Sequence, residues 1–105
     1  MKAVVKMYGR RAGLLERHGE TVTFQYDTDY LSLNQPPLSM SLPLQEEPYE
    51  SQGLPPYFSG LVSEGWLRRV QATEQRIDPG DTFSLLVHNG EDLPGAVTIE
   101  LLDMP

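Results

Sequence analysis

The chain has 105 residues, a net charge of −7 and no cysteine. That length supports one domain with one modest core, and the missing thiols exclude disulfides, thiolate metal sites and thiol catalysis. No apolar run approaches a signal-peptide core or a membrane span, so a soluble, cytoplasmic protein is expected.

In chain order, "KAVVKMY" (2–8) reads as a strand and Gly9–Gly13 as a turn. A second turn at His18-Gly19-Glu20 precedes Val22, Phe24 and Tyr26, which alternate with Thr21, Thr23 and Gln25. That period of two marks a half-buried strand, so residues 2–27 are expected to form a three-stranded meander. Asp27 or Thr28 can cap a short helical turn through Leu33, ended by Pro36-Pro37. Leu38, Met40 and Leu42 alternate with Ser39 and Ser41, which predicts a strand over 38–44, at a sheet edge because Pro43 cannot donate to a ladder. Residues 45–56 hold three prolines and no periodicity, the pattern of a functional or partner-ordered loop.

Helical spacing then takes over. Phe58, Leu61 and Val62 fit one helical face, and Ser63 is placed to cap a helix carrying Leu67, Val70 and Glu74 on one side. Asp78 and Pro79 read as the N-cap and first position of a further helix with Phe83, Leu86 and Val87 as its stripe. Asn89-Gly90 stops it, and Val97, Ile99 and Leu101 alternate in a last strand that can rejoin the first sheet. The expected architecture is α+β in a single domain, 1–105. A small antiparallel sheet of about five strands, the last one C-terminal, packs with two to three helices from the 57–90 region.

Charge is unevenly distributed. Residues 1–17 hold Lys2, Lys6, Arg10, Arg11 and Arg17 against Glu16 alone, whereas residues 18–67 hold seven acids and no Lys or Arg. An acidic middle repels a phosphate backbone, so nucleic acid is not an expected ligand and a basic protein surface is a better one. The blander reading of the same acids is a solubilising surface. His18 and His88 lack any surrounding motif, and no phosphate loop is present; "GEDLPG" (90–95) lacks the lysine and carries acids instead. No nucleophile–base pair, metal-ligand set or cofactor signature appears, so the chain is not expected to be an enzyme.

Three stretches resemble one family. "PPLSMSLPLQ" (36–45), "YFSGLVSEGWLRR" (57–69) and "DPGDTFSLLVHNGEDLPGAVTI" (78–99) are similar, in order and spacing, to segments of the N-terminal subdomain of HipA-type serine/threonine kinases. The opening "VVKMYGRRAGLLE" resembles that family's first hairpin, so the likeness covers nearly the whole chain. In those kinases a large catalytic core follows this subdomain. The resemblance therefore implies either an excised N-terminal domain or a free-standing protein similar to the HipS-type component of tripartite HipBST toxin–antitoxin systems. A Met1 start and an untagged end fit the second. It implies an antitoxin that binds and inhibits a HipT-like serine/threonine kinase by obstructing its active site, with a HipB-like helix-turn-helix protein in the same complex. A subunit that completes the kinase fold without inhibiting it is the alternative.

The chain departs from the family pattern at Ser63, which stands at a proline position, and at Trp66, where a polar or small residue is usual. A tethered domain needs little intrinsic affinity, whereas a detached one must supply it through anchors, and tryptophan is enriched at such positions. The expected partner-binding residues are Trp66 with Glu64, Arg68 and Arg69 beside it. The competing reading of Trp66 is a core-edge aromatic, and of the two arginines a solvated helix face.

Overall fold

The computed structural model describes residues 1–93 and 95–102. Strands β1 (Lys2–Met7) and β2 (Arg10–His18) form a hairpin closed by Tyr8 and Gly9, both at positive φ, as a two-residue hairpin turn demands. The chain thus turns earlier than the Gly9–Gly13 reading placed it, because Gly13 lies inside β2. Its missing side chain is needed there: a Cβ at Gly13 would sit 2.4 Å from the Gln25 carbonyl oxygen and 2.7 Å from the Phe24 ring. A register shift opposite Val5 and Lys6 makes Ala12 the extra residue of a bulge. The bulge reverses the strand's parity, so Ala12 and Leu15 both reach the core.

β3 (Thr21–Tyr26) follows through Gly19, and β5 (Val97–Leu101) returns to the free edge of β1. With β4 at Tyr49–Gln52, the sheet is antiparallel in the order β4-β3-β2-β1-β5, so the expected five-strand architecture with a C-terminal last strand is the observed one. Helices α1 (Thr28–Ser32), α2 (Pro56–Ser59), α3 (Gly65–Gln75) and α4 (Thr82–His88) complete it. Alternation supplies the inner face: Ala3 and Val5, Val22, Phe24 and Tyr26, Val97 and Ile99 are all buried. Phe83, Leu85, Leu86 and Val87 of α4, Phe58 of α2 and Tyr30 of α1 close over them. Phe24 lies at the centre, with ring centroids 4.9 Å from Tyr26 and 5.3 Å from Phe58. Burial of one such ring contributes about 1.5–3 kcal/mol. The other face of the sheet is mostly polar apart from the Val4 and Leu14 pair, and it carries the Lys6–Glu100 pair at 3.0 Å.

Two expected elements change places. Residues 38–44 are not a strand; the fourth strand is β4 (Tyr49–Gln52), inside the segment read as a loop. The hydroxyl of Tyr26 accepts from the Leu38 amide at 3.0 Å and donates to the Leu42 carbonyl, so that backbone bonds to a side chain instead of a neighbouring strand. Leu42 N–H donates to Ser39 C=O at 3.0 Å and closes a turn between them. β4 alternates only half-buried with exposed residues because it lies at the sheet edge, which left it no hydrophobic signature.

Helix starts also move. Asp81, not Asp78, is the N-cap of α4; its carboxylate accepts from the Ser84 amide at 3.1 Å. Asp78 instead accepts from the Gly80 amide in the preceding turn. Ser63 does not cap α3; Glu64 holds that position, without a side-chain capping bond. The end of the chain from Asp103, and Pro94, lie outside the described residues.

Candidate functional site

Helix α3 is attached at both ends and turned the unusual way round. Val62 is buried just before it, and Ile77 packs against the core just after it. Gly65 opens the helix at φ 58, a conformation that favours glycine. At its other end Arg76 adopts φ 57, and Ile77 N–H donates to Ala72 C=O at 2.9 Å to close the last turn. Between these anchors the inward face presents Ala72, the helix's buried residue, with half-buried Arg68, Gln71 and Gln75.

The outward face is the apolar one. Trp66 is 66% exposed, Leu67 47% and Val70 40%. Trp66, Val70 and Thr73 fall within about 60° of one another around the helix, with Leu67 beside them. Leu67 and Val70, placed together by their spacing, do share a side, and it is the solvent side. A shallow hollow of about 300 Å³ lined by Arg69, Val70, Thr73 and Glu74 adjoins this surface. A helix of a small domain ordinarily buries its apolar stripe; here that stripe is left available.

The four expected partner-binding residues separate into two groups. Glu64 and Arg69 are exposed with Trp66. Arg68 is half-buried, and its Nε donates to the Ser63 carbonyl at 2.8 Å, bracing the entry to the helix. Leu67 and Val70 join the surface although they had not been singled out for it. The sequence does group them with Trp66, since no large apolar residue occupies the opposite face of α3, but such a stripe ordinarily turns inward, so its exposure was not legible there.

A larger cleft lies elsewhere, at the ends of β2, β3 and β4 beside α4. It encloses about 380 Å³ and is lined by residues that include Arg17, Gln52, Leu54, Asp81 and Phe83. Two of its charges are committed to each other. Arg17 Nη1 donates to Asp81 Oδ1 at 2.8 Å, and the guanidinium lies 4.8 Å from the Phe83 ring centre. Burial works to raise the Asp81 carboxyl, but the Ser84 hydroxyl and amide and the Arg17 guanidinium outweigh it and hold the carboxyl below its ordinary range. His18 and His88 do not line this cleft; His18 pairs with Glu16 at 2.6 Å. Among the described residues no group of three His, Asp or Glu side chains is arranged to hold a metal ion, and no helix is long and apolar enough to cross a membrane.

The model of the HipA N-terminal domain family matches residues 3–100. The chain belongs to that family. A solved structure described as the N-terminal domain of HipA toxin superposes with a TM-score of 0.77 at 36% identity, covering 99% of this chain and 94% of that one. An uncharacterized protein of Haemophilus influenzae is 44% identical over 96 residues, which is 91% of this chain and 88% of that protein. Two Sinorhizobium fredii proteins named as kinases, Y4mE and Y4dM, are 36% and 35% identical. This HipA N-terminal domain spans only 20% and 25% of their lengths, so most of each kinase lies outside the shared region.

Proposed function

We propose that this HipA-family domain acts by docking on a HipT-like serine/threonine kinase and inhibiting it, as the antitoxin of a toxin–antitoxin pair in the bacterial cytoplasm. The outward apolar face of α3 carries the reading: Trp66, Leu67 and Val70 are exposed on a helix whose inward face is small and polar. Helix-in-groove recognition uses anchors at i, i+4 and i+7 on one face, the spacing of Trp66, Val70 and Thr73. Trp66 is the principal anchor, seated where it obstructs the kinase active site, with Glu64 and Arg69 at the rim and Arg68 holding the helix entry. A HipB-like helix-turn-helix protein belongs to the same complex and supplies its DNA contact. The chain performs no catalysis of its own in this scheme and acts through binding alone.

The test is growth rescue together with phosphorylation by purified components. Expression of the kinase alone arrests growth, and co-expression of this chain restores it. Trp66→Ala abolishes rescue while leaving the melting temperature unchanged; full rescue by that variant removes Trp66 as the anchor. One observation favours a second reading, in which the domain completes the kinase without restraining it: in the two Sinorhizobium proteins the matching segment is part of a much longer protein named as a kinase. Phosphorylation that rises on adding this chain selects that reading and excludes inhibition.

A further inference from the structure

Met40 is 96% exposed, yet the backbone that presents it is firmly held. Leu38 and Leu42 on either side are buried at 7% and 4% exposure. The Tyr26 hydroxyl bonds to both of them, Tyr30 Oη donates to the Pro36 carbonyl at 2.6 Å, and Tyr49 Oη donates to the Pro43 carbonyl. Within the turn, Ser41 N–H donates to Ser39 Oγ at 3.2 Å, and the two hydroxyls lie 3.0 Å apart. Three tyrosines from β3, α1 and β4 thus fix a turn whose tip touches solvent. A lone exposed apolar residue is ordinary on a protein surface. A lone apolar residue on a backbone ordered from three directions is a preformed contact, because little entropy remains to be lost when it binds. The unbranched thioether adds adaptability to the shape of a socket.

We infer that this turn is a second docking point for the kinase partner, separate from α3, with Met40 entering a small apolar socket whose rim is basic. The inference rests on the kinase-docking reading. In Y4mE and Y4dM, both named as kinases, the matching segment makes up 20% and 25% of the chain, so a much larger body accompanies this fold there. The basic rim follows from charge: residues 18–67 contain seven acids and no Lys or Arg, and Glu46, Glu47 and Glu50 stand exposed shortly after the turn.

The experiment is a calorimetric titration of the full chain into a purified HipT-like kinase that lacks its own copy of this domain. Met40→Ser lowers affinity by about 5- to 30-fold, the range of a moderate anchor, while Met40→Leu restores most of it. The melting temperature stays unchanged in both, and binding weakens as salt is raised. Binding of Met40→Ser equal to wild type, in a titration where Trp66→Ala binds weakly, overturns this inference alone. Absence of binding by the wild-type chain overturns it together with the kinase-docking reading.

Discussion

Gln75 of α3 and Asn89 at the end of α4 exchange two hydrogen bonds, Nε2 to Oδ1 at 2.8 Å and Nδ2 to Oε1 at 3.1 Å. This amide clasp ties the C-terminal end of α3 to that of α4, and it matters because the inward face of α3 buries only Ala72. Eleven residues is a marginal length for an isolated helix, so α3 depends on the clasp and on its two flanking anchors. Gln75→Ala is expected to cost about 1 kcal/mol locally. Hydrogen exchange checks it: the α3 amides become faster while those of β1 to β3 keep their protection. Equal acceleration throughout would show instead that α3 opens only with the whole domain.

The approach of Gly90 to β5 is closer than any side chain permits. A Cβ at Gly90 would stand 1.9 Å from the Ile99 carbonyl oxygen, and Gly90 C=O accepts from Ile99 N–H at 2.9 Å. The obstacle is backbone, so no rotamer change relieves it. Gly90→Ala is expected to destabilise by about 3 kcal/mol or more, the upper end of overpacking costs. Urea unfolding checks this; a midpoint within error of wild type would contradict the geometry.

Burial pushes the Tyr26 hydroxyl up to about 12 from its ordinary value of 10.0, against the lowering effect of the Leu38 amide. The folded state therefore holds this proton more tightly than the unfolded chain does. Stability from that difference is fully present below the unfolded value of about 10, and is lost as pH rises through the folded value. Tyr26→Phe leaves the Leu38 amide and Leu42 carbonyl without this partner and is expected to cost about 1–3 kcal/mol at neutral pH. It should also flatten the alkaline limb of the stability profile, measured by chemical unfolding from pH 8 to 12.

Arg76 adopts left-handed backbone at φ 57 to let the chain leave α3. Glycine takes that conformation without its Cβ penalty, so Arg76→Gly is expected to stabilise by about 0.5–1 kcal/mol. A rise in melting temperature with unchanged docking checks the prediction, because Arg76 lies beyond the Trp66 face.

Much of the fold was legible in the residues. The alternation of Val22, Phe24 and Tyr26 and of Val97, Ile99 and Leu101, the spacing of Phe83, Leu86 and Val87, and the Asn89-Gly90 stop each state one local period and its end. Tyr49–Gln52 was not legible, because a strand at a sheet edge needs a neighbour with matching register more than it needs apolar side chains. The alternation of Leu38, Met40 and Leu42 misled for the converse reason: a tyrosine 12 residues earlier captured the amide that a strand partner would have taken.

For the candidate site, the sequence alone determined that α3 is a helix with Trp66 and Val70 on one side and Gln71, Ala72 and Gln75 largely on another. Periodicity fixes that division, since it depends only on residues close in the chain. Which side meets solvent was decided by tertiary structure. Buried Val62, core-packed Ile77 and the Gln75–Asn89 clasp set the rotation of the helix about its axis. Each of those contacts joins parts of the chain whose proximity no local pattern records, and together they turn Trp66 outward.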